Sequence, residues 1–254
     1  MWRRLRIAVL LFILASVALS AWQQKRHATA WNSTLQVAVI PIAGDDSPVT
    51  RHYLARLTRE DFQPMADYLN EEAQRYGIPE LLPVALSLAP EVRELPPAQP
   101  REGSVLNAIS WSLQLRYWAW RHTPALSPKP RIRLYLIYHD PALNPAVPHS
   151  AGLEKGLLGV VHLFASDRQK GENQVVATHE LLHTLGATDK YEPGNNQPRF
   201  PEGYADPQQQ PLLPQYRAEL MAGRIPLSAN RAEIPPSLAR TLIGPATARE
   251  IGWR

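Results

Sequence analysis

Twenty-five prolines against 13 glycines in 254 residues constrain this chain more than any other feature. Proline fixes φ and has no N–H to donate, so helix interiors and central strands must lie between prolines. The chain is therefore built of regular elements joined by long rigid connections, and a compact helix bundle is excluded. A length of 254 residues allows one large domain or two small ones with a sizeable core, and hydrophobic residues at 44% with charged residues at 20% exclude a disordered acidic chain and a multi-span membrane protein. The absence of Cys excludes disulfides, thiolate metal sites, iron–sulfur clusters and a cysteine nucleophile.

Between the prolines, hydrophobic periodicity marks the elements. Residues 34–42 alternate and then become continuously apolar, as a strand does. Residues 57–76 place Phe62, Met65, Leu69 and Ala73 three and four apart, which predicts an amphipathic helix ending at Gly77. Residues 82–88 read as a second strand, followed by a Pro-rich connector at 90–100. Residues 104–120, with Leu106, Ile109, Leu113 and Trp118, predict a second helix. Residues 131–138 and 157–164 predict two more strands, 174–185 a helix, and 237–251 a terminal helix. The Pro-, Gln- and Asn-rich stretch 192–215 is a long ordered loop or a flap. The order β-α-β-α-β-β-α is a layered α/β or α+β arrangement.

The formal charge of +4 is misleading, because residues 1–27 hold Arg3, Arg4, Arg6, Lys25 and Arg26 and no acid. The remainder carries 22 basic against 23 acidic residues. A nucleic-acid binder needs its positive charge on the folded surface, so nucleic acid is set aside as a partner. Residues 7–22 are uncharged and span about 24 Å as a helix, slightly short of a hydrocarbon core of about 30 Å. They read either as a signal anchor with Trp22 at the interface, or as a signal peptide cut before Ala21 after the small residues Ala18 and Ser20. Both readings put the rest of the chain outside the cytoplasm, anchored to a membrane, secreted or periplasmic.

The chemistry is concentrated in His179-Glu180-Leu181-Leu182-His183-Thr184-Leu185-Gly186-Ala187-Thr188-Asp189. On a helix, residues i and i+4 share a face, so His179 and His183 can present two imidazoles to one metal ion. Glu180 borders that face and can deprotonate a water at the metal. A catalytic Zn²⁺ takes three protein ligands, so two His leave the site one short. Gly186 sits where the helix must stop and can turn the chain through a left-handed conformation. Asp189 then returns as third ligand, with Glu192 as its local rival.

This pattern, H-E-x-x-H-x-x-G-x-x-D, resembles the metzincin metallopeptidases in the version with Asp as third ligand, as in snapalysin-like enzymes. Glu219-Leu220-Met221-Ala222-Gly223, ahead of a predicted helix, resembles the Met-turn of that family, with Met221 forming the floor of the site. Gly223 stands where some metzincins carry a Tyr. The resemblance implies an α+β zincin-like fold over 28–254, a mixed sheet with the active-site helix in an upper part (about 28–186) and a Met-turn and terminal helix in a lower part (about 187–254). It implies Zn²⁺ as cofactor and a protein or peptide as substrate. It also implies that the strand before the active-site helix is a sheet edge that pairs with extended substrate. The candidate is 157–164, with Leu157, Gly159, Val160, Val161 and His162; His162 either faces the cleft or packs.

The reading that follows is a zinc-dependent endopeptidase in which His179, His183 and Asp189 hold the metal and Glu180 is general base. Two others stay open. One is a catalytically idle binding module braced by the metal; the other is a zincin of another branch, with Glu202 or Glu219 as third ligand.

Overall fold

The computed structural model describes residues 2, 6, 28–100, 105–153 and 156–253. The apolar run at 7–22, with its signal or anchor reading, lies outside the described residues. Among the described residues, no helix is long and apolar enough to cross a membrane.

The architecture is mixed α+β around a five-stranded mixed sheet. The strands are β1 (Leu35–Ala43), β2 (Val84–Leu88), β3 (Ile132–His139), β4 (Ala151–Leu153) and β5 (Leu158–Phe164), in the order β2-β1-β3-β5-β4. All pairs are parallel except β4 with β5. Because side chains alternate along a strand, the sheet carries two cores. Val37 and Val39 of β1, Leu134 and Leu136 of β3, and Val161 and Leu163 of β5 face one side. Ala38, Ile40 and Ile42, Tyr135 and Ile137, and Leu158 and Val160 face the other.

The helices follow from local signals. Helix α1 (Pro48–Arg56) starts where Ser47 Oγ accepts from Val49 N, with Pro48 in the first turn where no N–H is needed. Helix α2 (Gln63–Arg75) follows a one-turn 3-10 helix capped reciprocally by Thr58 and Asp61, and turns Met65, Leu69 and Ala73 inward. The side chain of Asn70 donates to Val84 O and accepts from Val84 N, fastening α2 to β2. Helix α3 (Val105–His122) lies on the opposite face, where Trp111, Leu115, Trp118 and Ala119 fill the second core. The long helix α4 (Lys170–Leu185) joins α2 against the first.

Beyond α4 the chain forms two small two-stranded sheets, β6 (Ala218–Glu219) with β9 (Thr241–Leu242) and β7 (Ile225–Ser228) with β8 (Arg231–Glu233), and helix α5 (Pro245–Glu250). The helix expected over 237–251 is thus confined to its last turns, because Gly244-Pro245 forces a fresh start. The stretch 192–215 is a pinned loop, with the Gln215 side chain donating to Asp206 O and Leu212 O and accepting from Asp206 N. Trp253 packs edge-on against Trp31, whose indole N–H donates to Ile251 O, so residues 28–31 close against the end of the domain.

One expectation is corrected here. Residues 157–164 are not a sheet edge. Leu158, Gly159 and Val160 pair with β3 on one side and with β4 on the other, and His162 N donates to Ser150 Oγ. The edge is β4. Three residues with one glycine carry no periodicity, so the strand is invisible to pattern reading; what makes it possible is Gly152. A Cβ there would lie 2.5 Å from both Glu180 O and His183 Cβ, so only glycine lets β4 lie this close to α4.

Candidate metal centre

Helix α4 is tied to the sheet at its first turn, where the Asn173 side chain accepts from Phe164 N and donates to Phe164 O. Val175, Leu181, Leu182 and Leu185 are buried, which fixes the rotation of the helix and turns His179 and His183 to one partly open side. His179, Glu180 and His183 offer ligand atoms within 4.8 Å of one another, a group able to hold a metal ion, and no other such group of three occurs among the described residues.

The helix ends at Gly186 with φ +102°, a left-handed conformation that costs other residues about 1–2 kcal/mol. Ala187 N then donates to Leu182 O, closing the helix end, and the Ala187 carbonyl accepts from His183 Nδ1 at 2.8 Å. His179 Nδ1 donates to Leu220 O at 3.0 Å. With both Nδ1 atoms committed to carbonyls, each ring leaves Nε2 as a bare lone pair. The two Nε2 atoms lie 3.2 and 3.1 Å from Asp189 Oδ1. Asp189 Oδ1 and Glu180 Oε2 are buried and make no hydrogen bond of good geometry. Groups that converge in this way need a positive charge between them, a proton or a metal ion.

The electrostatics show how strongly these groups are coupled. Burial alone would raise the Asp189 carboxyl, but His179 and His183 together hold it well below the usual carboxylate range. Burial alone would lower His179, yet Asp189 and the charge of Glu180 leave it above its ordinary value. Glu180 is raised, first by burial, against the opposing pull of the two imidazoles.

Three supports hold the site, and of these only the turn at Met221 is visible as a motif. Met221 is fully buried in a one-turn 3-10 helix, Leu220–Ala222, closed by Gly223 at φ +67°. This turn grips the site through backbone, since Leu220 O receives His179 and Met221 O receives Lys190 N. The turn itself is held by Glu219, whose buried carboxylate accepts from Ala222 N, Gly244 N and Thr247 Oγ1. Glu219 is thus committed to the turn. Glu202 and Glu192 are exposed. The third support is Lys190, whose Nζ donates to both carboxylate oxygens of Glu250 and to Thr188 O and Oγ1. It clamps the residues on either side of Asp189 to α5.

Tyr191 borders the same carboxylate: burial raises its hydroxyl, and Asp189 raises it further. His162 lies elsewhere. It shares a sheet face with Leu158 and Val160, away from α4, and its Nδ1 is 2.9 Å from His139 Nε2. Burial, then the neighbouring imidazole, pushes it down to about 4. The packing alternative for His162 is therefore the one realised. No protein-family profile and no curated protein matches this chain, so the reading of the centre rests on its own residues and geometry.

Proposed function

We propose that this chain is a zinc-dependent endopeptidase of metzincin type, exported or membrane-anchored, acting on extended polypeptide. The observation that supports it most is the convergence of His179 Nε2, His183 Nε2 and Asp189 Oδ1 beside a buried, unpaired Glu180 oxygen. A zinc ion held by those three residues supplies a Lewis acid that polarises the scissile carbonyl and acidifies a water.

The remaining work falls to the chain itself. Glu180 takes the proton of the attacking water and later delivers it to the leaving amine; a carboxyl raised by burial is suited to both accepting and giving. Leu220 O and Ala187 O fix the imidazole rings through Nδ1, so Nε2 points inward whether or not substrate is present. The outer edge of β4 runs beside Glu180 and His183, where the Gly152 backbone already hydrogen-bonds the Glu180 carboxylate, and a substrate strand can add along this edge. Extended backbone is what such an edge selects, which favours unstructured polypeptide over a folded protein or a small molecule.

The test is casein hydrolysis by the purified protein. Cleavage should stop with a chelator and return with about one equivalent of zinc. Protein that holds zinc yet cleaves neither casein nor a broad peptide library would overturn the proposal and favour an idle, metal-braced binding module.

A further inference from the structure

Helix α3 is apolar on both sides. Its inner face fills the second core, but its outer face carries Leu106, Ile109, Leu113, Tyr117 and Trp120, between 51% and 75% exposed. Spacings of three, four, four and three put these five side chains in one stripe along a helix of 18 residues, about 27 Å long. No described element covers the stripe. Soluble surfaces rarely expose so much contiguous apolar area, and large exposed patches mark interaction sites.

The charge around the stripe identifies its partner. Residues 89–139, which include the connector packed on the same face, hold seven basic residues against three acidic ones, Glu91, Glu94 and Glu102. Arg121, Lys129 and Arg131 are exposed. The chain beyond residue 27 is otherwise close to neutral, so this sector is locally basic as well as apolar. Tyr and Trp favour the boundary between hydrocarbon and headgroups, and exposed Arg and Lys favour anionic headgroups.

We propose that the outer face of α3 lies in the interface of an anionic lipid bilayer, with Leu106, Ile109, Leu113, Tyr117 and Trp120 immersed and Arg121, Lys129 and Arg131 among the headgroups. The domain is then held at the membrane in a fixed orientation rather than merely tethered to it. The inference stands on α3 and not on the metal centre, so it survives or falls independently of the peptidase proposal.

The chain has no cysteine, so Leu113→Cys and Tyr117→Cys each create a unique site for a nitroxide label, with Asp67→Cys on the exposed side of α2 as reference. The full-length chain is reconstituted in phosphatidylcholine vesicles with one quarter phosphatidylglycerol, and label accessibility is measured to oxygen and to a water-soluble nickel chelate. At 113 and 117 the oxygen-to-nickel ratio should exceed that at 67 several-fold, and should fall when phosphatidylglycerol is left out. A ratio at 113 and 117 equal to that at 67 would overturn the proposal. So would dipolar broadening between labels, which would mean that a second copy covers the stripe. Shielding from both reagents in both lipid mixtures would also overturn it, because the stripe would then be covered by protein.

Discussion

Replacing Glu250 by Gln should loosen the metal centre from a distance. Lys190 is 1% exposed, and its ammonium meets both Glu250 oxygens at 2.8 Å, Thr188 O at 2.9 Å and Thr188 Oγ1 at 2.7 Å. Thr188 in turn donates to Glu250 through N at 2.9 Å and Oγ1 at 2.8 Å. Gln keeps the shape but removes the counter-charge and turns an amide N–H₂ towards a buried cation. Removing one partner of a buried pair costs about 3–5 kcal/mol; the Glu250 side chain is 30% exposed, so water recovers part and about 2–3 kcal/mol remains. For a domain of this size that is a fall in Tm of roughly 5–10 °C. Because the clamp flanks Asp189, zinc affinity should fall as well.

The same clamp has a pH signature. Burial alone would raise Glu250, but the hydrogen bonds from Lys190 and Thr188 bring it below its ordinary 4.5. A depressed carboxyl contributes stability that is fully present above the unfolded value and is lost as pH falls through the folded one. The stability gap between wild type and Glu250→Gln should therefore narrow below about pH 4.5. The double variant Lys190→Met with Glu250→Leu removes both charges and should be more stable than Glu250→Gln alone. Calorimetry at neutral and acid pH, with a zinc competition titration, reads all three. A Tm within about 1 °C of wild type in Glu250→Gln, or a double variant below the single, would refute the clamp.

Asp189→Ala should lose zinc or bind it far more weakly, while Glu192→Gln and Glu202→Gln keep wild-type metal content by elemental analysis; the opposite pattern would move the third ligand out of Asp189. Gly152→Ala places a methyl 2.5 Å from Glu180 O and His183 Cβ, so β4 must shift away from α4. The cost should be about 1–3 kcal/mol in urea denaturation, and KM for casein should rise, because the edge offered to substrate moves.

The sheet was legible where strands lie between prolines with long apolar runs. Residues 131–138 and 157–164 match β3 and β5 to within one residue. Elements whose cause is tertiary were not legible. Strand β4 exists because Gly152 fits against α4, a contact between residues about 30 apart. The outer stripe of α3 reads in the sequence like a core face, because Leu106, Ile109 and Leu113 have helical spacing; only the structure separates the face that meets the sheet from the face that does not. In the centre, the i,i+4 imidazoles, the adjacent Glu180 and the turn at Gly186 are fixed by local geometry and could be read directly. Glu219, Lys190 and Glu250 act across 25 to 60 residues of chain, and no spacing rule joins them. The turn around Met221 meets His179 through the backbone of Leu220, a contact no residue pattern announces.

The central claim is that His179, His183 and Asp189 hold the metal while Glu180 moves the proton. Zinc content and casein hydrolysis measured together on Glu180→Gln separate those two jobs. Gln keeps the shape of a buried side chain that is not assigned to the metal, so zinc should stay near one per chain while the rate falls by at least the 10²–10⁴-fold typical of losing a general base. Full activity in Glu180→Gln, or loss of zinc together with activity, would contradict the account.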